Sequence, residues 1–149
     1  MCSNSDIGLT GTDAKTYFIS GNADGTMDME QLWFVALVAI GGAIGSVLRY
    51  AISITLAPYG DISWGTFAVN FIGSFLICFI FFKFGDMSET TRILLFMGFF
   101  GAFTTLSSIS LEFVNLFSEG QMFNAFLVFL LNTVVCIGAG FVGRAVALL

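Results

Sequence analysis

Four apolar runs, parted by only a few polar residues each, set the limits on how this chain can fold. They cover residues 32–56, 64–84, 92–117 and 122–148. Each reaches the ~20 residues that a helix needs to cross a hydrocarbon core of about 30 Å. The connections are short: 57–63 carries the single proline, Pro58, 85–91 is polar, and 118–121 is a tight turn containing Gly120. Charged residues make up 10% of the chain, against about 25% in soluble domains, and the mean hydropathy is +0.95. The expected fold is therefore an all-α membrane protein of four transmembrane helices, a multi-pass resident of the cell (plasma or inner) membrane.

Residues 32–149 form the expected transmembrane domain and residues 1–31 a polar, acidic, flexible tail. Asp6, Asp13, Asp24, Asp28 and Glu30 all precede the first run, so the net charge of −5 describes mainly that tail. The tail lacks the basic start and apolar core of a secretory signal, and its one apolar island, Tyr17 to Ile19, reads as incidental. No basic cluster points to nucleic acid. The chain has no histidine, which removes the commonest metal ligand and the easiest proton shuttle. Cys2, Cys78 and Cys136 have no paired spacing and read as small apolar residues.

The third run departs from an ordinary membrane helix. From Gly98 to Glu112 it reads GFFGAFTTLSSISLE, with Gly101, Thr104, Thr105, Ser107, Ser108 and Ser110 packed into about three turns. In hydrocarbon every backbone amide and carbonyl must find a partner, so irregular backbone survives only in protein or against a wet cavity. The stretch is a candidate broken helix, with carbonyls freed for a cation and the hydroxyls of Ser107, Ser108 and Ser110 available to an anion. An intact helix whose small residues admit a close neighbour is the alternative.

The other runs add polar groups at membrane depth. In the second, Thr66, Asn70 and Ser74 are spaced four apart and share one face. Such a stripe costs free energy unless it meets a helix, water or a ligand, so it reads as a helix contact or an ion track. In the fourth, Asn132 and Cys136 share a face. The first run carries Gly41-x-x-x-Gly45, which permits close packing, and then Arg49, suited to snorkelling, an anion vestibule or a carboxylate partner. Glu112 reads as an interfacial carboxylate or that partner of Arg49. Four helices of this length are few to enclose a pore, so association is expected.

These residues resemble the Fluc (CrcB) family of fluoride channels. The likeness rests on Gly41-Gly42-x-x-Gly45-x-x-x-Arg49-Tyr50, on Gly65-Thr66-x-x-x-Asn70-x-x-Gly73-Ser74-Phe75, and on the Gly98 to Glu112 stretch. It implies a channel rather than an enzyme: an antiparallel, dual-topology dimer that lets cytoplasmic fluoride leave passively. It further implies a structural sodium ion at the dimer centre, held at the break, near the middle of the third helix, by the carbonyls of Gly101 and Thr104. Asn70, Thr66 and Asn132 would line the fluoride track with the serine hydroxyls, and Arg49 would lie near the vestibule. Fluoride is small and strongly hydrated, so N–H and hydroxyl donors must replace its water.

One departure stands out. The family pattern places phenylalanines where this chain has Leu106 and Ile109, which keep bulk but lose the electropositive ring edge. Either amide and hydroxyl donors suffice, or another subunit supplies rings. Lys15, Lys83, Arg92 and Arg144 fall on one side and Arg49 alone on the other, a bias toward the N-terminus inside. A chain that inserts both ways should show little bias. The charge placement therefore argues for one preferred orientation and a heterodimer with a related, oppositely oriented chain, with a homodimer as the alternative. A non-conducting partner subunit is thus the second expectation. A proton-coupled small multidrug exporter is the third, disfavoured because no carboxylate lies between Leu32 and Leu56.

Overall fold

A computed structural model describes residues 28–57 and 62–149. The expected tail up to residue 27 and the proline turn at 58–61 lie outside the described residues. The chain divides into two units, Met1–Trp33 and Phe34–Leu149. In the first, the described part is Asp28 and the opening turn of a helix, where the Leu32 amide donates to the Asp28 carbonyl at 3.0 Å.

The described residues are predominantly helical, with no strand among them. Four helices are long and apolar enough to cross a membrane: α1 Met29–Leu56, α2 Trp64–Lys83, α3 Glu89–Ser118 and α4 Met122–Ala147. α1 begins ahead of its apolar run, taking Met29, Glu30 and Gln31 into the helix. Ser88 caps α3, its hydroxyl accepting from the Thr91 amide at 3.3 Å. Between α3 and α4 the chain turns through Gly120, the one described residue with positive φ, at 77°. The Gln121 amide donates to the Leu116 carbonyl and the Gly120 amide to that of Phe117, so a glycine-terminated cap absorbs two orphan carbonyls.

Small residues govern how the second unit packs. A Cβ on Gly41 would lie 2.5 Å from the Leu94 carbonyl oxygen, and one on Gly98 would lie 3.1 Å from the Gly41 Cα, so α1 and α3 meet backbone to backbone. A Cβ on Gly45 would collide with the Phe99 carbonyl. The Gly41-x-x-x-Gly45 spacing therefore serves contact within the protomer. α2 and the C-terminal part of α4 pack extensively, with Gly143 against the Phe75 carbonyl and Gly140 against the Cys78 Sγ. Ile109, Leu116, Ala125 and Val128 form an apolar cluster between the second half of α3 and the first half of α4.

Two segments wind more widely than an α-helix, with i→i+5 bonding: Ile93–Phe100 in α3 and Leu131–Val135 in α4. Such π-turns are uncommon and often sit at functional places. Each here adjoins the residues described next.

Candidate functional site

α3 does break. Its first half ends at Phe103 and its second, Leu106–Ser118, starts three residues later. Thr104 (φ −86°, ψ 154°) and Thr105 (φ −150°, ψ 117°) are extended between them. Two side chains make this tolerable at membrane depth. The Thr105 amide, which would close a helical turn onto Gly101, donates instead to Asn70 Oδ1 at 2.9 Å. The Ser108 amide, which would close onto Thr104, donates instead to Thr105 Oγ1 at 3.2 Å. The carbonyls of Gly101 and Thr104 thus lose these helical partners.

Thr105 caps the second half of α3, and Thr105→Val should lower stability by about 1 kcal/mol, the usual worth of an N-cap. The midpoint of unfolding in a fixed detergent measures it. Around the cap, Thr105 Oγ1 lies 3.1 Å from both Ser107 Oγ and Ser108 Oγ, a cluster of three hydroxyls at the helix start. Ser110 is turned back on its own helix, its hydroxyl donating to the Leu106 carbonyl at 3.0 Å.

Asn70 reaches this break from α2 and connects it to α4. Besides accepting from the Thr105 amide, it donates to Asn132 Oδ1 at 2.9 Å and, more weakly, to the Thr105 carbonyl at 3.4 Å. Asn132 in turn donates to the Val128 carbonyl at 3.0 Å. Both carboxamides are buried, as is Thr66 one turn before Asn70. Thr66 is 8% exposed, and its hydroxyl has no hydrogen-bond partner among the described residues. Of the polar stripe on α2, Thr66 and Asn70 face inward fully and Ser74 partly.

Arg49 and Glu112 do not pair. The Glu112 carboxylate accepts from the Ser63 amide at 2.6 Å and so fixes the entry to α2, while the half-buried Arg49 has no ion pair among the described residues. The expected carboxylate partner for Arg49 is corrected on that ground: the backbone amide ahead of α2 takes the acceptor. Glu112→Ala should speed hydrogen exchange at the Ser63 amide by about tenfold, the worth of one charge-assisted bond at a partly wet position, while Glu112→Gln retains most of the protection.

The two aliphatic positions separate. Ile109 is 6% exposed and belongs to the protomer core, whereas Leu106 is 72% exposed. Gly101, Ser107 and Ser110 are also exposed on the protomer. Aromatic rings do stand near the break, on its N-terminal side. Phe99 stacks on Phe103 with centroids 5.5 Å apart and meets Phe100 edge-on at 5.0 Å. Phe100 and Phe103 are both buried. Sequence reasoning passed over these rings, although Phe99-Phe100-x-x-Phe103 runs directly into the Thr-Thr pair.

A four-span helical membrane protein, with its third span interrupted by two extended threonines and the gap braced by a buried carboxamide, is the class of protein that this geometry defines. The chain belongs to the CrcB family: the model described as CrcB-like protein, Camphor Resistance (CrcB), matches residues 36–144. Among its relatives is a protein of Magnetococcus marinus, 38% identical over 117 residues, spanning 75% of this chain and 95% of the relative. Another, from Agrobacterium fabrum, is 42% identical over 116 residues, spanning 74% and 93%. A third, from Idiomarina loihiensis, is 40% identical over 108 residues, spanning 70% and 84%. All three carry the name fluoride-specific ion channel FluC, so the family is one of ion channels and not of enzymes.

Proposed function

We propose that this chain is a subunit of a passive fluoride channel that lets accumulated fluoride leave the cell. The observation carrying the reading is the break itself. Backbone opens at membrane depth beside buried amide and hydroxyl groups, which is costly unless an ion or a partner uses what is exposed. Thr66, Asn70 and Asn132, with the hydroxyls of Ser107 and Ser108, supply N–H and O–H donors of the kind that a dehydrating fluoride needs, and Ser110 joins them only on releasing the Leu106 carbonyl. Arg49, with no carboxylate paired to it among the described residues, suits an anion-attracting vestibule.

The pore needs a second subunit, in our reading an antiparallel copy or relative. Gly101, Ser107 and Ser110 leave small and polar groups open on the protomer at a depth where lipid offers no hydrogen bonds. A structural sodium ion fits the same place. The Gly101 and Thr104 carbonyls are hard oxygen donors without helical partners, and two such pairs from two subunits give four ligands. When bound, the ion supplies positive charge that lowers the cost of bringing anions close.

Fluoride efflux from liposomes reconstituted with this chain alone tests the reading, and efflux above protein-free liposomes is the expected result. A second reading has an observation of its own. With Leu106 and Ile109 in place of rings, the chain could be a partner subunit that lends fold and cation site to a heterodimer. Efflux appearing only when a related chain is co-reconstituted selects it. Labelling of both termini in intact cells tests orientation: one-sided labelling accompanies a heterodimer, and equal labelling from both sides a dual-topology homodimer. The exporter alternative lacks its chemistry, since the sole carboxylate in α1, Glu30, lies in the first turn.

A further inference from the structure

The hydrogen bonds around Asn70 run in one direction, and that direction is forced. A backbone amide can only donate, so the Asn70 atom 2.9 Å from the Thr105 amide must be its oxygen. Its nitrogen then faces Asn132, whose facing atom must be an oxygen, at 2.9 Å. The Asn132 nitrogen is left toward the Val128 carbonyl at 3.0 Å, which is again donor to acceptor. No member of the chain can flip without setting like against like.

Of the two hydrogens on Asn70 Nδ2, one is held by Asn132 at 2.9 Å, and the other reaches the Thr105 carbonyl at the long distance of 3.4 Å. The second is the weakly committed one, and it lies at the break. We propose that Asn132 is a positioning residue for Asn70. By holding one amide hydrogen, it keeps the Asn70 oxygen on the Thr105 amide and the loosely held hydrogen at the break, where an anion could take it. Asn132 acts through Asn70, and its place on α4 is set by the π-turn Leu131–Val135 in which it stands. The anion role rests on the fluoride reading above; the positioning role does not.

The test is a double-mutant cycle on amide hydrogen exchange at Thr105, made on the full chain in nanodiscs, alongside fluoride efflux from liposomes. Asn132→Leu, similar in volume, should speed Thr105 exchange at least about tenfold, as expected for loss of a buried hydrogen-bond partner. Efflux should fall by a comparable factor. In an Asn70→Leu background the same change should add little, because the two residues act as one unit. Asn132→Ala, which leaves room for a water, is the second variant should leucine pack badly.

Unchanged Thr105 protection in either variant overturns the proposal. So does deprotection shared equally by Leu37 and Gly45 of α1, which signals general loss of packing, and so does a fully additive cycle. Wild-type chain that carries no fluoride, either alone or co-reconstituted with a related chain, while the exchange results stand, removes the fluoride reading and leaves the positioning role intact.

Discussion

Asn70→Asp should abolish fluoride efflux, with a loss of at least about a hundredfold expected once the buried Asn132 Oδ1 faces an oxygen and negative charge stands on the track. The substitution changes one atom, but that atom is the hub of the site. Asn70 Nδ2 donates to Asn132 Oδ1 and to the Thr105 carbonyl. A carboxylate there sets oxygen against both acceptors and places negative charge where an anion must pass. The Thr105 amide can still donate to the remaining oxygen, so the break can persist while the donor is gone. Initial efflux rates from liposomes of matched protein content measure the effect. Undiminished flux would put the pathway elsewhere in the protein.

Gly143→Ala should be among the most damaging single-methyl substitutions in the bundle, alongside Gly45→Ala. The added Cβ would run into the Phe75 carbonyl oxygen, with the carbonyl carbon at 3.1 Å and the Phe75 Cα at 3.3 Å, so backbone rather than a movable side chain must give way. Overpacking of this kind costs about 1–3 kcal/mol, and here it prises apart α2 and α4, the two helices that carry Asn70 and Asn132. Gly138→Ala is the matched control. Nothing lies within 4 Å of its Cβ, and replacing a helical glycine stabilises by about 0.5–1 kcal/mol. Thermal unfolding of both variants in one detergent should move the midpoint in opposite directions. Equal shifts would mean that the α2–α4 contact is looser than it stands here.

Much of this arrangement can be traced to local chemistry. The four spans follow from apolar runs of bilayer length, and Gly120 ends α3 because a positive φ is inexpensive only for glycine. The break was legible because Thr104 and Thr105 belong to residue types whose side chains compete with the helical ladder.

Other features depended on partners distant in sequence. Glu112 is one turn beyond Ser108, and nothing nearby says that it will cap the Ser63 amide rather than meet Arg49. Leu106 and Ile109 look equivalent in the sequence, yet one is open and the other is core, because the new helix start after Thr105 sets which face each takes. Gly41-x-x-x-Gly45 reads as a helix-contact motif, but only packing decides that the contact is α3 of the same chain.

The sequence by itself determined the number of spans, their approximate lengths and the stretch of the third that was a candidate to open, because those depend on local hydropathy and on backbone groups that lipid will not solvate. Only the tertiary structure decided what closes the opening. Asn70 and Asn132 are 62 positions apart, and Asn132 stands in a π-turn that composition does not reveal. Long-range hydrogen bonding depends on direction and on distances of a few tenths of an ångström, and no pattern of residue types along a chain encodes either.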